Sequence, residues 1–375
     1  MTIEAQPVVI ESNAPADWDD LAVDRPGGHV LQSRAWAAHW RASGWRPLFL
    51  SSGDQRILAL VRDWPLIGGG NAYLPRGPVP VVPSAQLGAS LWAVTKALAG
   101  EGIDVVAADP EVPAADATWR DWLRRARFQP IEELQASRHR ISLALGEGAD
   151  EEAVFKGIAK STRQRIRKAE KQGIAVVRHD TAGDSATEGF AQSAESAEAA
   201  LDRFYDLLLE TGERRNFTFG TRGASVAWWR AALAAGHLVY LEARDEAPTG
   251  QPLAGLILYR HGGRLSTVHS GDLESSRRTH PGALHLLRWR SIQLAIRERR
   301  AEMDLGGADV AGARREPIEG EPMHGLYQHK LSFGGQWLEL AGAHERVIRP
   351  NRYRAGRLVS RGARAAARIG SLAGR

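Results

Sequence analysis

The sequence predicts a mixed α/β protein built from two similar units, each a mostly antiparallel sheet flanked by helices. Three observations support this prediction. The same order of strand-like and helix-like segments occurs twice along the chain, and each copy contains a glycine turn at the same place. The length of 375 residues also exceeds what one hydrophobic core usually serves.

The first copy begins at Gly44 and has the order strand, strand, strand, helix, strand. Alternating and apolar segments predict three strands, and a glycine turn at Gly68, Gly69 and Gly70 precedes the third. A long apolar segment then predicts a helix, and a short apolar segment predicts a buried strand. In order, these segments are GWRPLFLSS, DQRILALVRDW, NAYLPRGPV, SAQLGASLWAVTKALAGEG and IDVVAADP.

The second copy begins at Gly236 and repeats that order, with its glycine turn at Gly262 and Gly263. Outside the glycine turns the two copies share almost no residues, so the architecture is repeated and the sequence is not. We therefore predict a first domain at 1–150 and a second at 151–337, with 338–375 packing back on the first. The segments are GHLVYLEAR, PLAGLILYR, RLSTVHSG, PGALHLLRWRSIQLAIRER and AEMDLGG, and the stretch DTAGDSATEGFAQSAESAE between the copies predicts an exposed loop.

Composition restricts the chemistry. Hydrophobic residues make up 43% and charged residues 25% of the chain, as in soluble globular proteins. No apolar run reaches the roughly 18 residues of a membrane span, and MTIEAQPVVIE lacks the pattern of a signal peptide, so a cytoplasmic protein is expected. The absence of cysteine excludes disulfides, thiolate metal sites and cysteine thioester intermediates. Because no metal-ligand spacing, Walker sequence or G-x-S-x-G stands out, no metal or nucleotide cofactor is expected.

The positive charge is concentrated in two segments. The net charge of +5 and the pI near 9.7 favour a polyanionic partner. Residues 153–173 predict a single helix with an apolar stripe and a basic stripe. The apolar stripe holds Phe155, Ile158, Thr162, Ile166 and Ala169, and the basic stripe holds Lys156, Lys160, Arg163, Arg167 and Lys171. From Lys156 to Lys171 only Glu170 is acidic, so both a solvated face and a phosphate-binding face fit this stripe.

The last thirty residues form the second basic segment. From Arg346 to Arg375 the chain has nine arginines and no acidic residue. This segment fits a helix with Leu358, Val359, Ile369 and Leu372 as apolar contacts. A disordered tail, a contact with the tRNA backbone and an attraction to anionic lipid are the alternatives.

Several separate stretches, taken together, resemble the FemABX family of peptidoglycan interpeptide-bridge aminoacyltransferases. They occur in the family's order from about residue 30 to 345. The stretches are Gln32-Ser33 with Trp36 and Gly44, YLPRGPV, Asp109-Pro110, KSTRQRIRKAEKQGI, RRNF, HSGDLESSRRTHPGALHLLRW, MDLGG and YQHKLSFGG.

This resemblance implies two acetyltransferase-type (GNAT) subdomains and a function. Family members transfer an amino acid from aminoacyl-tRNA to an amine on the stem peptide of a cell-wall precursor. The implied partners are aminoacyl-tRNA and UDP-MurNAc-pentapeptide or lipid II. A monomeric protein with a peripheral contact at the inner face of the membrane is also expected. No heptad stretch long enough for the coiled-coil arm of the staphylococcal branch is present, so the compact form is expected.

The stretch YQHKLSFGG, which we predict to be strand-like, carries one candidate catalytic residue. In the family an aromatic-lysine pair precedes phenylalanine and two glycines, and the lysine is implicated in stabilising charge during acyl transfer. The resemblance assigns that role to Lys330, while His329 occupies the position of the aromatic residue. From the residues alone, a solvated lysine on an edge strand is the alternative.

Asp109 is the second candidate catalytic residue, because it matches a family aspartate at the end of IDVVAADP. Acyl transfer to an amine with a pKa near 10.4 requires removal of a proton, and a carboxylate accepts one. A strand-ending Asp-Pro turn and proton transfer through the tRNA ribose are the alternatives.

Other candidates concern the cell-wall precursor. Arg215 and His269 lie where relatives place substrate-binding arginine and tyrosine residues. Arg41 is offered as a substitute phosphate contact, because the family lysine position is Trp40 here. Tyr73 and Arg76, on the YLPRGP turn, are expected to line the same groove.

A rival function uses the same fold. In an acyl-CoA-dependent N-acyltransferase, RRTHPGALHLL would hold the CoA pyrophosphate through backbone N–H groups. This stretch has only Gly282 where a glycine-rich loop is usual, and Pro281 removes one donor. A non-catalytic nucleic-acid-binding protein ranks third, because the sequence has no recognised RNA-binding motif.

Overall fold

The computed structural model describes most of the chain and divides it into two compact units. Unit 1 comprises Met1–Arg138 and Glu339–Arg375, and unit 2 comprises His139–Leu338. None of the described helices combines the length and apolar character that a bilayer-spanning helix needs. The described residues are 7–80, 82–135, 138–181, 189–191, 195–215, 219–245, 250, 252–308, 310 and 315–360.

The first part of unit 1 contains six strands and three α-helices. The strands are β1 (Val9–Glu11), β2 (Arg46–Ser52), β3 (Gln55–Asp63), β4 (Gly70–Leu74), β5 (Ile103–Ala108) and β6 (Gln129–Pro130). The helices are α1 (Arg34–Ala42), α2 (Ser84–Gly100) and α3 (Ala117–Arg125). All five elements predicted for the first copy are confirmed.

The core of unit 1 lies between the sheet and α2. Leu87, Leu91, Val94 and Leu98 are buried on one face of α2, at the spacing of a helix that packs on a sheet. A Cβ at Gly88 would lie 2.6 Å from the indole of Trp122 on α3, so glycine there permits the close approach of α2 and α3.

Unit 2 contains seven strands and seven helices among the described residues. The strands are β7 (His139–Ala144), β8 (Ala175–His179), β9 (Leu238–Arg244), β10 (Pro252–His261), β11 (Arg264–Asp272), β12 (Glu302–Asp304) and β13 (Gln336–Glu339). The helices are α4 (Glu151–Gly157), α5 (Lys160–Lys171), α6 (Ala197–Arg215), α7 (Arg222–Ala234), α8 (Glu274–Thr279), α9 (Ala283–Arg297) and α10 (His324–Leu331). The chain then returns to unit 1 with β14 (His344–Val347) and a helix at 350–360.

The two sheets share one plan. Sheet 1 has the order β1-β2-β3-β4-β5-β14-β6, and sheet 2 has the order β8-β9-β10-β11-β12-β7-β13. In each sheet one parallel pair, β4 with β5 or β11 with β12, interrupts antiparallel pairing. The next strand pairs antiparallel with that pair, and it is β14 in sheet 1 and β7 in sheet 2. Each of these strands lies close in sequence to a boundary between the two units. The prediction of two GNAT-like subdomains is confirmed, and the longest described helix, α6, has 19 residues, too few for a coiled-coil arm.

The parallel pair in unit 1 determines where the candidate residues lie. Because β4 and β5 run in the same direction, the turn that follows Leu74 and the residue that follows Ala108 leave the sheet at the same edge. The YLPRGP turn and Asp109 are thereby brought together.

Two predictions about secondary structure are wrong. The helix expected over 153–173 is broken, because Ile158 has extended backbone angles between α4 and α5. The strand-like stretch 327–337 lies partly in α10, which ends at Leu331, and only its last two residues belong to a strand, β13. Gly334, three residues after the helix, has a φ of +89° and its N–H donates to Leu331 O, which closes the turn after the helix. The glycines therefore signal a helix terminus here, not the end of a strand.

Other expectations concern boundaries and uncertain segments. The predicted domain boundary stood at 150, whereas β7 already belongs to the sheet of unit 2. The burial of Thr162, Ile166 and Ala169 on α5 confirms its predicted apolar stripe. Most of the polar stretch at 180–198 lies outside the described residues, as do Ile369 and Leu372.

Candidate active site

Asp109 lies at the centre of a hydrogen-bonded network in unit 1. Its side chain is fully buried. The backbone N–H of Arg76 donates to Oδ1 at 2.7 Å, and the Tyr73 hydroxyl donates to Oδ2 at 2.9 Å. The guanidinium of Arg76 is 3.7 Å from the same carboxylate. The structure thus brings Asp109 together with Tyr73 and Arg76, which the sequence had nominated from a different stretch.

Burial makes this carboxylate unusually basic. Loss of solvation raises the pKa of Asp109 to about 6, although the positive charge of Arg76 and the two hydrogen bonds lower it. A carboxylate with a pKa near neutrality is ionised at physiological pH and is still a useful proton acceptor. Asp109 therefore has the electrostatic character of a general base.

A cavity of about 790 Å³ lies in unit 1 beside this network. The ring of Tyr73 lines it, and the hydroxyl of Tyr73 also accepts a hydrogen bond from Gln135 Nε2 at 2.7 Å. Three tryptophans, Trp40, Trp45 and Trp64, contribute much of the apolar wall. An apolar cavity with a few convergent polar groups is the usual form of a small-molecule site.

Arg41 lies outside the cavity lining. Its guanidinium donates to the carbonyl of Ser12 at 3.0 Å on the exposed side of α1. Its neighbour Trp40 lines the cavity instead. The proposed phosphate contact of Arg41 stays a prediction.

Lys330 is a buried residue of α10 in unit 2. Only 6% of it is exposed, and its Nζ donates to the carbonyl of Gly307 at 2.6 Å. The alternative of a solvated lysine on an edge strand is therefore wrong. Gly306 has a φ of +74°, and a Cβ there would lie 3.0 Å from the lysine Nζ and 2.8 Å from Thr267 O. The MDLGG glycine thus leaves room for the ammonium group.

His329 belongs to a cationic cluster formed by His285, Arg288, His329 and Arg165, in which His285 and Arg288 are buried and Arg165 is exposed. Arg288 Nε donates to His329 Nε2 at 3.0 Å, and the two histidine rings meet edge to face at 4.5 Å. Arg165 Nη1 is 3.3 Å from His285 Nε2. Arg288 is only 2% exposed, and its Nη1 has no hydrogen-bond partner among the described residues.

The electrostatics of this cationic cluster are one-sided. Burial, with the positive charges of Arg288, Lys330 and Arg165, lowers the pKa of His329 to about 2. Burial and the same kind of neighbours lower the pKa of His285 to about 4, and burial lowers the pKa of Arg288 to about 10. Both histidines are therefore neutral at physiological pH, and the surroundings favour an added negative charge.

The sequence did not identify Arg288, His285 or Gln135. The first two lie on the buried face of an apolar helix, LHLLRW, where a charged residue is expensive unless it has a partner. That mismatch was the available signal. Gln135 lies in the irregular segment between β6 and β7, where no pattern marks it.

The remaining substrate-binding candidates are His269 and Arg215. His269, on β11, packs against Phe219 and Trp229 at ring distances of 5.6 and 5.8 Å. Burial lowers the pKa of His269 to about 4. Arg215 is the last residue of α6, and its side chain lies outside the described part of the structure.

The basic stripe separates into two groups. Lys160, Arg167 and Lys171 are exposed on α5. Lys156, on α4, pairs with Glu152 at 2.7 Å, and Arg163 donates to the carbonyl of Ile158 at 2.9 Å. Arg163 thus satisfies a backbone group in the break between the two helices, a structural role that the pattern did not indicate.

The start of α9 is packed against α5. A Cβ at Gly282 would lie 2.6 Å from the carbonyl oxygen of Arg165 and 2.9 Å from the side chain of Ala169. The close approach of the two helices therefore accounts for glycine at this position without a bound pyrophosphate.

We predict that His329→Gln weakens the pH dependence of stability. Because the folded state keeps His329 neutral while the unfolded chain protonates it, His329 lowers the free energy of unfolding by about 1.4 kcal/mol per pH unit as the pH falls below about 6.5. Glutamine does not titrate, and its amide oxygen still accepts from Arg288. Urea unfolding between pH 4.5 and 8 should show a shallower slope for the variant below pH 6.5.

The comparison at pH 8 is the internal control, because histidine is neutral there in both states. Equal slopes in the two proteins below pH 6.5 would contradict a neutral, buried His329.

Comparisons with known proteins bear on the fold. A family model described as an acetyltransferase (GNAT) domain matches residues 157–314. The structure of FemX superposes with a TM-score of 0.74 at 16% identity, covering 92% of this chain and 99% of that one. L-PGS from Bacillus licheniformis superposes with a TM-score of 0.51 at 10% identity, covering 94% of this chain and 98% of that one.

Another similar structure is a conserved protein of unknown function from Bacteroides thetaiotaomicron VPI-5482, with a TM-score of 0.53 and 14% identity over 91% of this chain and 99% of that one. No curated protein matches the sequence. The chain therefore has the FemABX-type fold of two GNAT-like units, as its sequence motifs indicated.

Proposed function

We propose that the protein is a non-ribosomal aminoacyltransferase of peptidoglycan synthesis. It moves glycine, alanine or serine from aminoacyl-tRNA to the side-chain amine of the stem peptide in a peptidoglycan precursor, which builds the interpeptide bridge. The observation that carries this proposal is the buried Asp109, bonded to Tyr73 and Arg76 beside an aromatic cavity, in a fold shared with FemX.

The proposed reaction begins with the acceptor amine. Asp109 accepts a proton from the amine, whose nitrogen attacks the carbonyl carbon of the aminoacyl ester. The tetrahedral intermediate then collapses: the bond to the ribose oxygen breaks, an amide forms, and the ribose hydroxyl leaves with a proton. A pKa near 6 keeps Asp109 ionised and ready for the first step at neutral pH.

Lys330 is proposed to stabilise the negative charge that develops on the carbonyl oxygen. Its ammonium group is held by Gly307 O, so little reorganisation is needed when that charge appears. None of the four residues of the cationic cluster carries a carboxylate that would pair with the ammonium group. His329 is proposed to contribute to substrate binding by holding Arg288 in place.

Substrate binding is proposed to use both units. In unit 1, Tyr73, which lines the aromatic cavity, and Arg76, which lies beside Asp109, contact the cell-wall precursor, and Arg41 is a phosphate contact. In unit 2, Arg215 and His269 contact the precursor, while the basic residues of α4 and α5 contact the tRNA backbone. Lys160, Arg167 and Lys171 are exposed on α5, and they are the stronger candidates because Lys156, although also exposed, pairs with Glu152, and Arg163 bonds to the carbonyl of Ile158.

An acyl-CoA-dependent N-acyltransferase is the second candidate. The match of residues 157–314 to a GNAT domain supports it. The packing of Gly282 against α5 weighs against it, because the glycine has a structural explanation.

The donor decides between the two candidates. We expect the purified protein to move a radiolabelled amino acid from charged tRNA to UDP-MurNAc-pentapeptide, and prior treatment with ribonuclease to abolish transfer. Transfer from acetyl-CoA that ribonuclease does not affect would refute the aminoacyltransferase.

A second prediction concerns Asp109. The wild-type single-turnover rate should rise with pH through about 6 and then level off, because the carboxylate must be ionised to accept a proton. Asp109→Asn retains the hydrogen-bond acceptor and should lower the rate by about 10²- to 10⁴-fold without that acid limb.

Tyr73→Phe is the matched variant for this experiment. Because the Tyr73 hydrogen bond lowers the pKa of Asp109, its loss should shift the acid limb to higher pH. An acid limb that stays in place in both variants would remove Asp109 from the mechanism.

A third prediction concerns Lys330. Lys330→Met keeps much of the apolar length and removes the cation, so the protein should fold while turnover falls by about 100-fold or more. The loss should appear in single-turnover transfer at saturating charged tRNA, because a fixed cation favours the transition state over the ground state.

Lys96→Met, on an exposed position of α2, is the matched control and should retain the wild-type rate. A folded Lys330→Met protein with the wild-type rate would show that Lys330 has only a structural role.

A further inference from the structure

The tip of the hairpin between β3 and β4 exposes two large apolar residues. Leu66 is 97% exposed and Ile67 is 39% exposed. Leu66 also has a φ of +69°, in the left-handed region that a leucine rarely adopts. Neither solubility nor backbone preference favours leucine at this position. A contact with a partner outside the folded chain would explain why a leucine is present there.

The helix at 350–360 packs against the base of this hairpin. A Cβ at Gly356 would overlap the indole of Trp64, and a Cβ at Gly69 would overlap the guanidinium of Arg352. Arg352 is held by the buried carboxylate of Asp104, with Nε 3.3 Å from Oδ1. The hairpin tip and the helix are therefore fixed neighbours within unit 1.

The outer side of this helix is cationic and carries one more exposed leucine. Leu358 is 68% exposed, and Arg354, four residues earlier on the same face, is also exposed. The segment 350–360 contains no acidic residue. Within the described part of the chain, Arg354 has no carboxylate partner.

We propose that Leu66, Ile67, Arg354 and Leu358, together the hairpin–helix patch, dock unit 1 onto an anionic lipid bilayer. Exposed leucine and isoleucine side chains enter the boundary between headgroups and acyl chains, while arginines attract anionic headgroups. An RNA backbone would pair with Arg354 and leave the apolar side chains of the patch in water. These apolar side chains therefore favour lipid as the partner. Trp64 and Arg357, from the same two segments, line the aromatic cavity, so the docked bilayer would adjoin it.

The test measures co-sedimentation of the full chain with lipid vesicles, without tRNA. We expect binding to vesicles of one-third phosphatidylglycerol and two-thirds phosphatidylcholine, and much weaker binding to pure phosphatidylcholine. Leu66→Asn should weaken binding by about tenfold or more, because the buried apolar side chain is lost. Asparagine accepts a positive φ, so the melting temperature should not fall. Leu358→Asn should act in the same direction, and Arg354→Gln should weaken binding to anionic vesicles only.

Ile318→Asn is the matched control, because Ile318 is an exposed isoleucine of unit 2 (57%) outside the patch. It should bind vesicles as the wild type does. Absence of vesicle binding, or equal losses in Leu66→Asn and Ile318→Asn, would overturn the proposal. Weakened tRNA binding with unchanged vesicle binding in the patch variants would overturn it in favour of a nucleic-acid surface.

Transfer to the soluble precursor by Leu66→Asn should be unchanged. The result of the vesicle experiment is therefore independent of the result of the donor experiment.

Discussion

The hydrogen bond from the backbone N–H of Arg76 to the carboxylate of Asp109 ties the end of β5 to the turn after β4. It forms because β4 and β5 are parallel, so that both chains leave the sheet at one edge. The same turn presents Tyr73, which bonds the second carboxylate oxygen and also lines the cavity. One strand pairing thus determines the position of the proposed base, the groups that tune it and the wall of the cavity beside it.

The candidate site of unit 2 depends on a different constraint, the proximity of several basic groups. Arg288, His285, Lys330 and Arg165 are the described groups whose charges act most on His329, and together with burial they keep both histidines of the cluster neutral. A neutral histidine can accept the hydrogen bond that Arg288 Nε needs, which a phenylalanine at this position could not do. The replacement of the family's aromatic residue by His329 is therefore coupled to the buried arginine, and neither residue is explained without the other.

The sequence predicted the regular elements well because they follow simple periodicity. Both sets of five segments were found, since strands with alternating or continuous apolar residues and helices with apolar stripes differ clearly in pattern. It failed at 327–337 because the stretch is short and contains one lysine among apolar residues, and the final glycine pair fits a strand turn and a helix terminus equally well. Tertiary packing, which buries Tyr327 and Phe333, decides between them.

The sequence predicted individual residues of the site but not the contacts between them. Tyr73 and Arg76 were nominated together from the YLPRGP turn and Asp109 from a separate argument, and the parallel pairing of two strands shows that the aspartate contacts both. Gln135 was missed because a hydrogen-bond partner distant in sequence leaves no local pattern. Arg288 was missed because its one local signal, a charged residue on the apolar face of a helix, does not identify its partner.

The two buried networks differ from the rest of the core because their charged groups lower the stability of the folded protein. Raising the pKa of Asp109 from 3.8 to about 6 means that the folded protein holds an ionised carboxylate at neutral pH at a cost of about 3 kcal/mol. Arg288 is also buried, and the described cluster around it is basic. Other buried ions of unit 2 have partners of opposite charge, such as Arg260 with Glu298 and Arg244 with Glu242. Asp109 has the guanidinium of Arg76 3.7 Å away and its pKa is still raised, whereas no described carboxylate pairs with Arg288. Well-paired or apolar residues at these positions would have been more stable. Costs of this kind are expected where function requires them. The energetic pattern therefore singles out Asp109 and Arg288 on physical grounds, without reference to the sequence motifs.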